Sequence, residues 1–265
     1  MATGVLIGHH TLIEAIEAWG DPVVINVADP HLCAAYVMHD VSESVRIVTD
    51  RSTYARMVDV EYLSWGLAQR QGDMLEVAVT DDVQSPMVAV GPRGLIGFVD
   101  VGFQIGGIVT DEAEPLRTTV AQYLDHLATT AESAIVTGPT LTAVADEFAG
   151  RFGAAAADQY LDCLSGIWTD QLADEAIDAK RVATLVAADH EGLLADLGSW
   201  GRALGIATQA DFSRIKQELV EASLVTVTNE SRGVGRPRQR LGLNRAALEA
   251  IDDDRINPVI PWLRG

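Results

Sequence analysis

An α/β N-terminal domain, a partly parallel sheet with flanking helices, followed by a smaller α+β C-terminal domain is the architecture this sequence predicts. Three observations predict it. In the first half of the 265 residues, short β-branched runs alternate with amphipathic stretches, the two periodicities of strands and helices in turn. From Asp174 onward the pattern changes to successive helices that end in a hairpin. The charge is also uneven: the formal net charge is -19, yet residues 180–245 hold ten basic and seven acidic side chains while the rest of the chain holds nine and thirty-one.

The runs 23–27 (VVINV), 45–49 (VRIVT), 75–80 (LEVAVT), 87–90 (MVAV) and 95–101 (LIGFVDV) read as strands, because β-branched residues suit a pleated, half-buried surface. The stretches 13–19, 31–39, 53–70 and 115–133 read as helices between and after them. A β-α-β-α-β opening implies parallel strands. Gly72, Gly91, Gly94, Gly102 and the pair Gly106-Gly107 punctuate the turns. Gly138-Pro139 breaks the chain, and 140–150 and 154–168 form two amphipathic helices separated by Gly153. Tyr160, Leu161, Leu164 and Trp168 mark one face of the second, which fits either the core or a dimer seam. The polar stretch 170–174 is taken as the junction between domains 1–170 and 171–265.

In the second domain, Ile177, Val182, Leu185 and Val186 give a first helix, and 197–204 a short one stopped at Gly205, where a left-handed residue is easily accommodated. Thr208 is a good N-cap with Asp211 three residues on, and Phe212, Ile215, Leu219 and Ala222 form the buried stripe of a new helix. Two helices joined by a Gly-containing turn are a helix-turn-helix. The β-run 224–228 (LVTVT), a polar connector 229–239 and a return strand 240–243 (RLGL) add a two-stranded wing. The C-terminal domain is therefore read as a winged helix-turn-helix.

Residues 231–248 hold five arginines and no acid. A segment kept positive in so acidic a chain points to a polyanion, and in this fold to double-stranded DNA; the same run also fits an Arg-rich solvated hairpin. If Phe212, Ile215 and Leu219 face inward, then Gln209, Ala210, Ser213, Arg214 and Gln217 face outward, and Gln, Arg and Ser are base-reading types. Gly235-Arg236-Pro237-Arg238 at the wing tip suits a narrow, negative minor groove. The candidate DNA contacts are Gln209, Ser213, Arg214, Gln217, Arg232, Arg236, Arg238 and Arg240. A wing that docks protein, and an α/β enzyme with an accessory winged helix, are the alternatives. The enzyme class lacks support, since there is no phosphate loop of the usual spacing, no G-x-S-x-G elbow and no paired His and nucleophile.

The stretch 197–243, with SWGRALGIAT, FSRIKQEL and VGRPRQRL, resembles the winged-helix end of haloarchaeal transcriptional regulators of the TrmB-suppressor (TbsP-like) type, and VRIVTDRSTYARM is similar to their first domain. The resemblance implies a homodimeric repressor of central sugar metabolism genes, gluconeogenic ones in particular, with an α/β sensor domain. Domain 1–170 would then sense and dimerise, and 171–265 bind DNA.

One place in the first domain suits an effector. Strand 45–49 runs into Asp50-Arg51-Ser52-Thr53 and a helix, so Arg51, Ser52 and Thr53 could hold the phosphate of a sugar at a helix N-terminus; Ser52 or Thr53 could equally just cap the helix. No cofactor or metal motif is present. Cys33 and Cys163, 130 residues apart, read as buried free thiols. No window is long and apolar enough to anchor the chain in a membrane, so the expectation is a cytoplasmic protein. The 38 acids, with seventeen arginines against two lysines, look halophilic: in molar salt the Debye length is about 3 Å and an acidic surface is tolerated.

Overall fold

The computed structural model describes residues 4–7, 13–16, 18, 23–38, 45–72, 75–81, 87–91, 94–100, 105–110, 114–172, 178–230 and 237–250. The chain divides into two compact units, Met1–Asp59 with Gly66–Thr137, and Val60–Trp65 with Gly138–Gly265.

The first unit is built on an eight-stranded sheet of β1 (Gly4–Ile7), β2 (Val23–Asn26), β3 (Val45–Thr49), β4 (Leu75–Val79), β5 (Val88–Gly91), β6 (Gly94–Asp100), β7 (Ile105–Thr110) and β8 (Glu132–Ser133). The order across it is β1-β7-β6-β5-β2-β3-β4-β8. As the sequence predicts, β2, β3 and β4 are parallel; their connections run through α1 (Pro30–Met38), and through α2 (Arg51–Asp59) and α3 (Glu61–Arg70). The other neighbours are antiparallel. Residues adjacent in a strand go to opposite faces. Ile47, Val77, Ala89 and Ile96 pack with Leu32, Cys33, Tyr36 and Met57. Val48, Ala78, Val88, Val90 and Leu95 pack with Leu124 and Leu127 of α4 (Glu114–Thr130). A sheet covered on both sides must be apolar on both, so Ile47 and Val48, and Val77 and Ala78, are neighbouring apolar residues that serve opposite faces, while Arg46 of β3 and Glu76 of β4 interrupt the runs and pair with each other at 2.7 Å.

Three strands depart from expectation. Gly91 and Gly94 do face each other in the β5–β6 hairpin, but Gly106 and Gly107 lie inside β7, paired to Ile7 and Leu6 on one side and to Val99 and Phe98 on the other. Pairing on both edges overrides the poor strand propensity of a Gly-Gly step. The terminal β1 was not anticipated, and the helix expected over 115–133 ends at Thr130, giving up Glu132 and Ser133 to β8, which pairs with β4. The stretch 53–70 is two helices, separated at Val60 without a Gly or Pro.

The second unit holds α5 (Leu141–Phe152), α6 (Ala154–Leu172), α7 (Ala179–Asp189), α8 (Leu194–Leu204), α9 (Gln209–Glu221), β9 (Val225–Glu230), β10 (Arg238–Leu243) and α10 (Arg245–Ala250). The unit boundary at Thr137 and Gly138 places α5 and α6 with the winged helix, not with the first domain as a 170/171 junction would have it. The reason is an aromatic core. Phe148 of α5 stacks on Tyr160 of α6 at 4.8 Å, Trp200 of α8 stands edge-on to both at 5.2 and 5.6 Å, and Phe212 of α9 adjoins Trp200 at 6.0 Å. Trp200 Nε1 donates to Val144 O at 3.4 Å and Tyr160 OH to Ala179 O at 3.2 Å, so each polar edge finds a partner as its ring leaves water. Tyr160 and Leu164 are core residues, while Leu161 and Trp168 are half-buried.

Candidate nucleic-acid interface

The geometry begins with how closely α8 and α9 approach. Gly205 ends α8 in the left-handed conformation (φ 71°). Thr208 then caps α9: its hydroxyl accepts from Asp211 N while the Asp211 carboxylate accepts from the Thr208 backbone, a complete capping box. The hydrogen bonds from Thr208 hold the Asp211 carboxyl below its ordinary range. Phe212, Ile215 and Leu219 are buried as expected. Ala222, expected to continue their stripe, is instead the exposed C-cap, because the helix ends there and the chain turns toward β9.

The wing is an antiparallel ribbon in register from Leu243↔Val225 to Arg238↔Glu230. Its base is tied back to the segment before α8, since Leu193 bridges Arg240 and Leu241 N donates to Gly192 O at 2.9 Å. Between the wing and the start of α8 and α9 lies an open groove of about 410 Å³, lined by Leu194, Ala195, Gln209, Ser213, Asn229, Pro237, Arg238 and Gln239.

The predicted contacts distribute unevenly over this surface. Arg238 lines the groove, is exposed, and among the described residues has no carboxylate partner. Arg232 and Arg236 lie outside the described residues. Arg214 and Gln217 are exposed on α9, each beside an acid one turn on: Arg214 Nη1 reaches Glu218 Oε1 at 3.1 Å and Gln217 Nε2 reaches Glu221 Oε1 at 3.0 Å. Ser213 is half-buried and donates to Gln209 O at 2.8 Å.

Two residues differ from expectation. Gln209 does not simply face outward: it packs on Gly198, where an added Cβ would lie 1.8 Å from Gln209 Oε1, and its Nε2 donates to Leu194 O at 3.4 Å. A side chain that fills the notch a glycine leaves in α8 is helix packing as well as groove wall. Arg240 is turned to internal use, paired with the Glu230 carboxylate and donating to the Glu191 carbonyl, with the Glu230 hydrogen bond raising its pKa. Arg245 is likewise 2.7 Å from Asp189. Sequence reasoning passed over Arg202, exposed on α8 with no ion-pair partner among the described residues; only its place in SWGRALG, one turn before the helix stop, could have singled it out.

Residues 140–260 match the family model of the TbsP-like transcriptional regulator, C-terminal HTH domain. That stretch is therefore similar to a TbsP-like HTH domain. The match starts at Thr140, the N-cap of α5, so α5 and α6 fall within it. No curated protein matches the sequence. A solved structure of TrmBL2, an archaeal chromatin protein with a novel mode of DNA binding, is similar with a TM-score of 0.36 and 8% identity over 51% of this chain and 55% of that one; the likeness spans about half the length of either.

Outside the matched stretch, the site expected at Arg51, Ser52 and Thr53 is filled from within. Asp50 caps α2: Thr53 N donates to its carboxylate at 2.9 Å, Thr53 Oγ1 at 2.7 Å and Ser52 Oγ as well. Burial pushes the Asp50 carboxyl up, but these hydrogen bonds outweigh it and hold the group below its ordinary range. Arg51 lies 3.5 Å from Asp81 and 3.7 Å from Glu132. The helix N-terminus and the guanidinium thus already face carboxylates, and a phosphate there would meet negative charge. Among the described residues no group of three or more His, Cys, Asp or Glu could hold a metal ion, and no helix is long and apolar enough to cross a membrane. Cys33 and Cys163 are buried free thiols.

Proposed function

We propose that the protein is a sequence-specific transcription regulator that binds double-stranded DNA with α9 in the major groove and the wing along the adjacent backbone or minor groove. One observation carries this: Gln209 and Ser213 of α9 and Arg238 of the wing, which has no carboxylate partner among the described residues, border one open groove within a stretch similar to a TbsP-like HTH domain. An α-helix about 10–12 Å across fits a major groove about 12 Å wide, and the wing then falls beside the phosphates. The protein acts as a homodimer, because one such domain contacts too few base pairs to be selective. By its resemblance it is a cytoplasmic repressor of gluconeogenic and other central sugar metabolism genes in a halophilic cell, with the α/β unit sensing a phosphorylated sugar. The carboxylates around Arg51 argue against that residue as the effector's anchor.

The test is binding of random-sequence duplexes in molar KCl, followed by sequencing of the bound pool and anisotropy on the enriched site. A recovered two-fold-symmetric motif is expected; a pool no different from the input removes the reading. A protein-docking role is favoured by the acids Glu218 and Glu221 beside the exposed Arg214 and Gln217. Partner binding unaffected by competitor DNA would decide for it.

A further inference from the structure

Four side chains form a line of alternating charge from the start of α7 to the exposed side of α9. Asp178 caps α7, accepting Arg181 N at 2.8 Å and pairing with the Arg181 guanidinium. Arg181 Nη2 reaches Glu218 Oε2 at 2.6 Å, and the other oxygen of the same carboxylate holds Arg214 Nη1 at 3.1 Å. The Arg181 hydrogen bond keeps the Glu218 carboxyl below its ordinary range, so it stays ionised. Arg214 itself is 64% exposed. Among the described residues only its Nη1 has a partner, which leaves Nη2 and Nε directed elsewhere.

An acid on a helix proposed to face DNA opposes every phosphate nearby and lowers general affinity. The placement of Glu218 therefore needs a reason other than attraction. A free arginine loses much rotamer freedom when it docks; one already held by a carboxylate has lost it before the encounter. Guanine O6 and N7 require two N–H donors in a fixed fork, and Arg214 retains such a pair while Glu218 fixes its other edge.

From this we infer, resting on the DNA-binding reading above, that Glu218 is a positioning residue and that Arg214 specifies a guanine at one position of each half-site. Asp178 and Arg181 anchor the carboxylate from the rigid N-terminus of α7. In a high-salt cell, where phosphate contacts are weakened, a pre-oriented base contact retains discrimination that a mobile cation would lose.

The experiment uses the full chain in molar KCl and randomised 30-base-pair duplexes, sequencing the bound pools to give a base preference at each position. Arg214→Ala is expected to lower the preference for guanine at one position per half-site by about 5- to 100-fold and to leave the other positions unchanged. Glu218→Gln, which keeps an oxygen for Arg181, is expected to lower the same preference several-fold while affinity for non-specific DNA rises. Glu218→Asp keeps the charge but withdraws it, and is expected to lose the preference without that rise. Neither Glu218 variant should change the base preference further in the Arg214→Ala background, although Glu218→Gln should still raise non-specific affinity there. Because each readout is a ratio within one pool, a partly unfolded sample does not imitate the result. Intact guanine preference in both Glu218 variants, or an equal loss at every position, overturns the inference while leaving DNA binding standing; a wild-type pool without any motif removes both.

Discussion

Adding one methyl group at Gly201 tests whether the contact between α8 and α9 is as close as it must be for α9 to stand clear of the domain. A Cβ there would lie 2.7 Å from Phe212 Cε2, 2.9 Å from Ala207 O and 3.1 Å from Ala207 Cβ, where ordinary contacts are about 3.5–4.0 Å. Neither neighbour gives way easily. Phe212 is fully buried behind Trp200, and Ala207 O belongs to the turn that hydrogen-bonds back to Gly201. Overpacking of this kind costs about 1–3 kcal/mol, against a gain of about 0.5–1 kcal/mol from replacing a helical glycine by alanine. Gly201→Ala is therefore expected to destabilise by about 1–2 kcal/mol. Gly150 in α5 is the reference: nothing lies within 4 Å of its added Cβ, so Gly150→Ala keeps the propensity gain and should stabilise by about 0.5–1 kcal/mol. Urea titration at fixed high salt, followed by tryptophan fluorescence, reads both as shifts of midpoint in opposite directions. Equal midpoints for the two variants, or a Gly201→Ala protein more stable than wild type, would refute the reasoning.

Arg238→Ala should weaken binding to all duplexes alike and reduce the salt slope by about one counterion, whereas Arg240→Ala should act mainly on stability, since its guanidinium is tied to Glu230 and the Glu191 carbonyl; anisotropy across a KCl series separates them, and equal slopes would contradict the assignment. Asp50→Ala should cost about 1 kcal/mol at neutral pH. Because the folded pKa of Asp50 is depressed, that stability is present above the unfolded value of about 3.9 and disappears as pH falls through the folded one, so the melting curves of wild type and Asp50→Ala should converge in acid. Burial pushes Cys163 up to about 12 and Cys33 higher still, so iodoacetamide at pH 8 should label neither until denaturant is added; fast labelling of native protein would contradict the packing.

The helix-turn-helix was legible because its signals are local. Gly205, Thr208 with Asp211, and the Phe212–Ile215–Leu219 spacing each name a backbone geometry within a few residues, and all three are realised. The parallel β2–β3–β4 core was legible for the same reason, as runs of β-branched residues with helices between. What escaped depends on distant partners. Nothing near Gly106-Gly107 says that strands will flank it on both sides, and nothing near Tyr160 says that Trp200, forty residues on, will close over it. The interface was half legible for a further reason: residue type shows that Arg240 and Arg238 are cations, but not that Arg240 pairs diagonally across the ribbon with Glu230 and lies beside Leu193, while Arg238, opposite Glu230 in the register, lines the groove instead.

The aromatic cluster has a bearing on how such a module could pass from one protein to another. A reader head severed after residue 170 would leave behind Phe148 and Tyr160 and would carry Trp200 and Phe212 into water, greasy and prone to clump. Severed just ahead of Thr140, it takes along every ring it leans on. Recombination that respects that earlier seam would yield a working graft; recombination at the later one would yield a sticky fragment, however faithfully the wing and its arginines were kept.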